Sequence, residues 1–330
     1  MTGKWVYCFL VGVLVHPTLF YQRTSQSEST ASTISASKSD TIPPSVGTVE
    51  VNFPNFTSCT ISELQHIVSE LKGLQPATDQ EKLADLLDEV GSKTLDIARN
   101  TPNLISRETV IEMRPGTVET RRDYDYLILS RTKGTIVDLD EYRVDLNTGE
   151  KFQTDEVLEL AGRGLAALQF RRPPTTQGFA TSWIDLVPGS QKRTTYRYLG
   201  EQKMGGQRTL VLAYAQKPAS VRSPATFNYQ GETVPMYLQG VAWVDPSDFR
   251  ILRLRTDLLS TLDTVPLQRM TAVIQFGFMP IAQLPAPLFL PREVTVTFKV
   301  DGSTSRDVHK YSKYRLFRVQ SRIVPPSSPH

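Results

Sequence analysis

The spacing of apolar residues changes once along the chain, near position 104. Before that position, apolar residues recur at intervals of three and four, which is typical of amphipathic helices. One such stripe ends before Gly73 and contains Leu64, Ile67, Val68 and Leu71. A second stripe predicts a longer helix over about 79–99 and contains Leu83, Leu86, Leu87, Val90, Ile97 and Ala98. This longer helix can cover one face of a sheet.

Both predicted helices carry a start signal of the capping-box type. In a capping box, a Ser or Thr side chain and a Glu or Gln three residues later each accept a hydrogen bond from the other residue's backbone. Thr60 with Glu63, and Thr78 with Glu81, have this spacing. We therefore expect one helix to begin just after Thr60 and the other just after Thr78.

After position 104, apolar and polar residues alternate, as in β-strands with one solvated face. Glu293 to Val300 is the clearest stretch. About nine to eleven such runs are expected, enough for a sheet that curls strongly. Tight turns should join them into antiparallel hairpins at Lys133-Gly134, Asn147-Thr148-Gly149, Gly205-Gly206, Asp245-Pro246-Ser247-Asp248 and Asp301-Gly302. The predicted fold class is α+β, a strongly curved antiparallel sheet in an open half-barrel wrapped on the N-terminal amphipathic helix.

Composition divides the chain into five segments. Residues 1–22 form a signal peptide or N-terminal anchor, because Lys4 is followed by sixteen uncharged residues, Trp5 to Phe20. That run is shorter than the roughly 20 residues of a membrane span, which favours a signal peptide and an exported protein, periplasmic or tethered facing the periplasm. The other segments are a disordered Ser/Thr/Pro-rich linker (23–52), a short helical segment (53–78), the half-barrel domain (79–322) and a disordered tail (323–330). One further helix, over 155–169, is expected to interrupt the strands.

Charge and metal-binding residues exclude several classes of function. The 37 Lys and Arg against 34 acidic residues give a net charge of +3 without a basic block, so nucleic acid is not an expected partner. The two cysteines are Cys8 and Cys59, and the four histidines are scattered. We therefore expect no metal site and no cofactor.

Catalytic residues are not evident either. His309 lies in a segment with an exposed pattern, Arg306 to Lys310, away from any nucleophile motif. Carboxylates cluster at Asp138, Asp140 and Glu141, and again at Asp123 and Asp125. Paired carboxylates can hydrolyse glycosides, but the basic residues around them favour cross-strand ion pairs on a solvated face. We predict that the protein is not an enzyme.

Three arginines occur within one apolar strand. Arg250, Arg253 and Arg255 alternate irregularly with Ile251, Leu252 and Leu254. Such a face suits an amphiphilic ligand. It also suits an ordinary half-exposed sheet in which the arginine stems lie along apolar surface, and this second interpretation is favoured.

Two hairpins resemble those of the LolA/LolB-type lipoprotein carrier-like superfamily of bacterial envelope proteins. The first is YLGEQKMGGQRTLVL, residues 198–212, and the second is GVAWVDPSDFRI, residues 240–251. The second is similar to the hairpin Gly-x-x-Trp-Val-Asp of outer-membrane lipoprotein-sorting proteins. The order of export segment, amphipathic helix and strand meander over about 80–320 is also similar.

This resemblance implies that the concave face of the half-barrel binds a lipid or a lipidated polypeptide. The strand residues expected to line the cavity are Leu252, Leu254, Ile274, Phe276, Val294, Val296 and Phe298. Two alternatives stay open. One is a structural or protein-interaction module of the envelope, whose sheet is filled by its own side chains and takes no ligand; the other is an envelope hydrolase.

Overall fold

The structure is a computed structural model that describes part of the chain. The described residues are 6–9, 53–133, 136–153, 179, 182–221, 224–229, 232–262 and 264–317. The predicted linker (23–52), the predicted helix over 155–169 and the predicted tail (323–330) lie outside them.

The first helix, α1 (Ile61–Ile67), begins where the sequence predicts. The hydroxyl of Thr60 accepts a hydrogen bond from the amide of Glu63, and the Glu63 carboxylate accepts one from the amide of Thr60 at 2.8 Å. This capping box is confirmed. A single 3-10 turn, Ser69–Leu71, follows, and Gly73 ends the run with a φ of +86°.

The second helix, α2 (Leu83–Asn100), begins four residues later than expected. The capping box predicted at Thr78 and Glu81 is wrong, because the Asp79 carboxylate accepts the hydrogen bonds of the Thr78 hydroxyl and the Glu81 amide. The Thr78 hydroxyl donates to Asp79 Oδ2 at 3.1 Å, and the Glu81 amide donates to Asp79 Oδ1 at 3.1 Å. An Asp side chain that bonds the backbone two residues on forms a turn of its own and delays the helix. A third helix, α3, is one turn long (Pro188–Gln191).

The described part of the chain contains fifteen strands. They are β1 (Val6–Phe9), β2 (Gln75–Pro76), β3 (Leu104–Met113), β4 (Thr120–Lys133), β5 (Ile136–Asp145), β6 (Lys151–Gln153), β7 (Thr194–Met204), β8 (Gln207–Gln216), β9 (Ala225–Tyr229), β10 (Glu232–Met236), β11 (Leu238–Val244), β12 (Ile251–Leu258), β13 (Leu267–Met279), β14 (Leu288–Val300) and β15 (Ser303–Leu316).

Twelve of these strands form one antiparallel sheet that is not closed. Its order is β2-β7-β8-β11-β12-β13-β14-β15-β3-β4-β5-β6. The count exceeds the predicted nine to eleven partly because the edge strands β2 and β6 have two and three residues, too few to show an alternation. A separate three-stranded sheet, β1-β9-β10, places Val6–Phe9 of the predicted export segment beside β9.

Four of the five predicted hairpin turns lie within the described residues and join neighbouring strands of the main sheet, whereas Gly134 of the fifth lies outside them. Gly205 and Gly206 connect β7 to β8 with φ values of +59° and +86°, and Asp301 and Gly302 connect β14 to β15 with +48° and +75°. Positive φ at both central residues matches the twist of the flanking strands, which is why such turns favour Gly and Asp.

The main sheet is curved, as the neighbours of one cavity show. Leu139 of β5 and Ile251 of β12 line the same cavity. Six strand spacings separate these strands in the sheet order, from β12 through β13, β14, β15, β3 and β4 to β5. In a flat sheet they would lie about 29 Å apart, at about 4.8 Å per spacing.

Apolar residues cover both faces of the strands around β11. On the inner face, Leu86 and Val90 of α2 belong to one apolar cluster with residues of β8 and of β11 to β15. On the outer face, Leu64, Val68 and Leu71 of the α1 segment pack against β7, β8 and β11. Every residue of β11 is therefore buried.

Polar side chains of the sheet hold the backbone of the 53–74 segment on the outer face. The Gln202 amide donates to the carbonyls of Glu70 and Lys72 at 2.6 and 2.9 Å. Arg255 donates to Glu70 at 2.7 Å and, through its other nitrogens, to Asp257 at 2.7 and 2.9 Å. These bonds fix the segment without requiring a long helix.

We predict that Arg255→Met lowers the free energy of unfolding by about 3 kcal/mol, because it leaves the buried Asp257 carboxylate without its charged partner. Urea unfolding of the purified protein measures this. The matched control is Arg208→Met, which breaks an ion pair of the solvent-exposed Arg208 with Glu201 and should change stability little. Equal effects of the two substitutions would contradict the role assigned to Arg255.

Candidate functional site

An apolar cavity lies between α2 and the inner face of the sheet. Its volume is about 50 Å³, room for about four waters at roughly 10–15 Å³ each. Its walls come from α2, from both halves of the sheet and from Trp183. The lining residues are Thr94, Ile97, Ala98, Thr101, Ile128, Leu139, Trp183, Ile251, Phe276, Phe289, Leu290 and Pro291.

The two halves of α2 pack differently. The N-terminal half presents Leu86 and Val90 to the core and is held by Gln191, whose amide donates to the Leu87 carbonyl at 3.0 Å. Gly91 allows this close approach, because a Cβ there would lie 2.9 Å from the Gln191 side chain. The C-terminal half presents the smaller Thr94 and Ala98, and the cavity lies beneath it.

The structure brings together five of the seven predicted cavity residues, but in the packed core. Leu254, Ile274, Val294, Val296 and Phe298 are between 0 and 3% exposed and belong to the inner apolar cluster. Backbone register explains the grouping, since Leu254 faces Ile274 and Ile274 faces Val294 on adjacent strands. They form the floor of the inner face.

The other two predicted residues lie apart from this floor. Phe276 lines the cavity directly. Leu252 does not share the face of Leu254, because the pairing with β11 shifts at Trp243 and Val244 and leaves Leu252 as an extra residue. A bulge of this kind sends one side chain to the opposite face, and the sequence pattern gives no sign of it.

A buried charged network occupies the inner face on β3, β5 and β15. Glu108 accepts two hydrogen bonds from Arg143, at 2.5 and 3.0 Å, and one from the Tyr311 hydroxyl at 2.9 Å. His309 Nδ1 lies 2.8 Å from Glu108 Oε1. The Arg143 guanidinium also lies over the ring of Tyr126 at 4.8 Å. Both oxygens of Glu108 are therefore engaged within the protein.

Opposing effects set the ionisation of this network. Burial alone would raise the pKa of Glu108, but the charge of Arg143 and the contact with His309 outweigh it and lower the pKa to about 2. Burial would lower the pKa of Arg143, and the Glu108 carboxylate raises it well above its usual value instead. Burial raises the pKa of Tyr311 and of Tyr126. Glu108 and Arg143 thus form a buried ion pair at neutral pH.

Sequence reasoning missed this network. His309 was expected in an exposed segment and is fully buried, with Phe179 packed edge-on against its ring at 4.9 Å. Glu141 and Arg143, expected on a solvated face, are 4 and 1% exposed. The strand alternation pointed the other way, because the apolar Tyr142, Val144 and Leu146 alternate with Glu141 and Arg143.

The other carboxylate pair behaves as predicted. Asp123 and Asp125 lie on the solvated side of β4, where Arg121 lies 3.8 Å from Asp123 and Arg107 lies 3.9 Å from Asp125. Thr109 also donates to Asp123 at 2.5 Å. An ion pair along β4 for Asp123 and one across to β3 for Asp125 account for these two residues.

The three arginines of the β12 region have separate tasks. Arg255 binds Glu70 and Asp257 on the outer face. Arg253 lies over the Trp243 ring at 5.7 Å, and Arg250 lies over the rings of Phe278 and Phe289 at 4.3 and 5.0 Å. Arg250 and Arg253 lie along aromatic surface, in keeping with the ordinary half-exposed face that the sequence favoured. Arg255 departs from that prediction, because the 53–74 segment buries it.

The residues on which the family resemblance rests have structural roles in and beside the hairpin. Gly240 is required because a Cβ would lie 2.0 Å from the Arg255 carbonyl oxygen. The Trp243 indole donates to Gln202 at 2.8 Å. Asp245 accepts from the Ser247 amide at 2.9 Å and closes the turn. The motif is a structural signature of this pair of strands.

Two further features bear on the kind of site present. Within the described residues, no group of three His, Cys, Asp or Glu side chains is arranged to hold a metal ion. A helix with the length and apolar character of a bilayer span is likewise not found in that part of the chain.

Comparison with known proteins gives structural neighbours of low identity. A DUF1329 family protein from Desulfovibrio piger is 12% identical, with a TM-score of 0.41 over 72% of this chain and 94% of that chain. A LolA superfamily protein from Nitrosomonas europaea is 13% identical, with a TM-score of 0.32 over 70% and 93%. An outer membrane lipoprotein-sorting protein domain from Vibrio parahaemolyticus is 11% identical, with 0.34 over 68% and 92%.

No family model and no curated protein matches the chain. The resemblance indicated by the two hairpins is found again among the structural neighbours, which include a LolA superfamily protein and a lipoprotein-sorting domain. At these identities and scores the likeness carries nothing about ligand or activity.

We predict an acid-dependent loss of stability from Glu108. Its pKa is about 2 in the folded protein against an ordinary 4.5, so its contribution is present above pH 4.5 and is lost as the pH falls toward 2. The contribution is about 3 kcal/mol. As the pH is lowered from 7 to 2, the urea midpoint of the double variant Glu108→Gln/Arg143→Met should fall less steeply than that of the wild type, because both charges are removed. The single change Glu108→Gln should cost about 3–5 kcal/mol at neutral pH, since it leaves Arg143 buried and unpaired. Parallel pH profiles for wild type and the double variant would contradict this assignment.

Proposed function

We propose that this protein is a non-catalytic component of the cell envelope that binds an apolar chain, of a lipid or a lipidated polypeptide, on the inner face of its sheet. The observation that carries the proposal is the apolar cavity between α2 and the sheet. In this view the sheet is a half-barrel wrapped on α2, and the protein is exported through its N-terminal segment, to the periplasm or to a membrane facing it.

The composition of the cavity supports an acyl chain as the occupant. Aliphatic and aromatic side chains dominate the lining, and the polar ones from α2 are the hydroxyls of Thr94 and Thr101. Thr101 donates its hydroxyl to the Ile97 carbonyl at 2.8 Å, so it does not require a polar ligand. Burial of an alkyl chain contributes about 0.8 kcal/mol per methylene. With such a lining, affinity depends on the length of the buried alkyl chain and not on a particular head group.

The size of the cavity implies that α2 moves. About 50 Å³ accommodates the end of a chain and not its whole length. The C-terminal half of α2 packs through Thr94 and Ala98, whereas the N-terminal half is held by Leu86, Val90 and Gln191. A shift of the C-terminal half would extend the cavity over Leu254 and its neighbours on the floor.

The absence of catalysis is part of the same proposal. The buried carboxylate nearest to a histidine, Glu108, already binds Arg143 and Tyr311 through both of its oxygens. A general base needs a free lone pair directed at a substrate proton. The network is therefore better suited to holding β3, β5 and β15 together than to chemistry.

A self-filled module without a ligand is the second candidate. It is favoured by the near-complete burial of Leu254, Ile274, Val294 and Val296 against the protein's own side chains. In that case the cavity is a packing defect beneath α2, and no chain enters it.

We predict that Thr94→Phe weakens binding of a fluorescent fatty acid about tenfold, because the ring occupies the space of roughly two methylene groups. Fluorescence titration of the purified full chain measures this. The matched control is Asp96→Phe on the exposed side of the same helix, which should bind like wild type. Should Thr94→Phe fail to fold, Ala98→Leu provides a smaller filling of the same cavity.

Native mass spectrometry and lipid extraction of the same preparation separate the two candidates. A carrier should release acyl species that the Thr94→Phe protein lacks. Clean protein that also ignores the fluorescent fatty acid would exclude the carrier and leave the self-filled module. Ester or glycoside hydrolysis abolished by Glu108→Gln/Arg143→Met would exclude both.

A further inference from the structure

The end of β13, the start of β14 and the loop that connects them form an apolar tip, residues 276–291. No charged residue occurs from Met270 to Pro291, and within the tip Gln283 is the one side chain with a polar group. Phe278 is 53% exposed, one of the few large apolar side chains in the described chain with that exposure. Phe278 is surrounded by the smaller exposed side chains of the loop, and contiguous apolar surface of this kind marks sites of contact with apolar partners.

The tip is rich in proline, which lowers its number of backbone amide donors. Four prolines remove four amide donors from it: Pro280, Pro285, Pro287 and Pro291. The Leu284 amide donates to the Ile281 carbonyl at 2.9 Å, and Gly277 and Phe278 pair with Leu290 and Phe289 across the hairpin. The prolines and these bonds lower the number of amides that lose water when the tip meets a lipid surface.

Two arginines stand at the base of the tip. Arg250 lies over the rings of Phe278 and Phe289, and Arg292 is exposed, with its stem 4.0 Å from the position of a Cβ on Gly277. A neutral apolar tip followed by guanidinium groups complements a bilayer, whose phosphates lie just outside its apolar interior. Asp248 and Glu293 are the acidic neighbours, and Asp248 binds Arg250 at 2.6 Å.

We propose that this tip docks on a lipid bilayer, with Phe278 inserted at the boundary of head groups and acyl chains. A protein partner fits less well, because a stable protein interface uses about 20–30 residues a side. The tip exposes seven: Phe278, Pro280, Ala282, Gln283, Pro285, Ala286 and Pro287. Docking does not require a ligand in the cavity beneath α2, so it can hold or fail independently of the proposed carrier function.

Vesicle flotation with the full chain tests the proposal. The vesicles contain phosphatidylethanolamine with phosphatidylglycerol in one arm and phosphatidylcholine alone in the other. We expect Phe278→Asp to lower binding in both arms by about tenfold or more, with Phe278→Ser as a milder second variant. The matched control is Val118→Asp, which places the same charge on an exposed apolar residue (85% exposed) outside the tip, at the opposite end of the sheet.

The arginine at the base gives a second readout. Arg292→Gln should weaken binding to the phosphatidylglycerol vesicles more than to the phosphatidylcholine vesicles, because an anionic surface attracts basic groups near it. Thr94→Phe should float like wild type, which separates docking from ligand binding.

Three results would overturn the proposal. They are wild-type protein that floats with neither vesicle, equal losses for Phe278→Asp and Val118→Asp, and self-association of the wild type that Phe278→Asp abolishes. The last would assign the tip to a second copy of the chain.

Discussion

Within the described residues, α2 is the one long helix on the inner face of a very wide sheet, where side chains such as Phe179, Phe227 and Met236 pack with it. The rest of the architecture follows from that constraint. The eighteen residues of α2 span about 27 Å at 1.5 Å per residue. Twelve strands laid flat would extend over about 53 Å, from eleven spacings of about 4.8 Å. One helix cannot bury so wide a face unless the sheet curves and brings distant strands to the same helix. Leu139 of β5 and Ile251 of β12 meet at α2 for this reason.

Curvature alone does not fill the space, and the two halves of the inner face fill it differently. Strands β12 to β14 contribute aliphatic side chains that pack against α2. Strands β3, β5 and β15 contribute Glu108, Arg143 and His309, whose bonds satisfy one another. Polar groups that bind across three strands fix their register, because a slip of one residue would bury unpaired charges. The apolar half lacks such constraints, and the cavity lies on its border.

Much of the fold follows from local sequence, and the exceptions share a cause. Alternation located Val294, Val296 and Phe298 on one buried face, and turn residues such as Gly205 and Gly206 located the hairpins. These signals operate within a few residues. The Glu108 network joins residues 35 and 201 positions apart, and no local pattern pairs them. The bulge at Leu252 and the turn at Asp79 also escaped, since each depends on one hydrogen-bonding partner that competes with the regular pattern.

The cavity and the apolar tip share four residues, Phe276, Phe289, Leu290 and Pro291, and this links the proposed ligand site to the proposed membrane contact. Phe276 and Phe289 line the cavity, and their rings stack at 6.0 Å. Phe289 also meets Phe278 edge-on at 5.4 Å, and Arg250 covers both of these rings. A displacement of Phe278 by lipid would therefore act on Phe289 and on the cavity wall, because closely packed rings transmit shifts to their neighbours. The rings of Phe278, Phe289 and Phe276 thus form a continuous aromatic path from the tip to the cavity. The same geometry places the charged half of the inner face away from that path, on strands that do not form the tip.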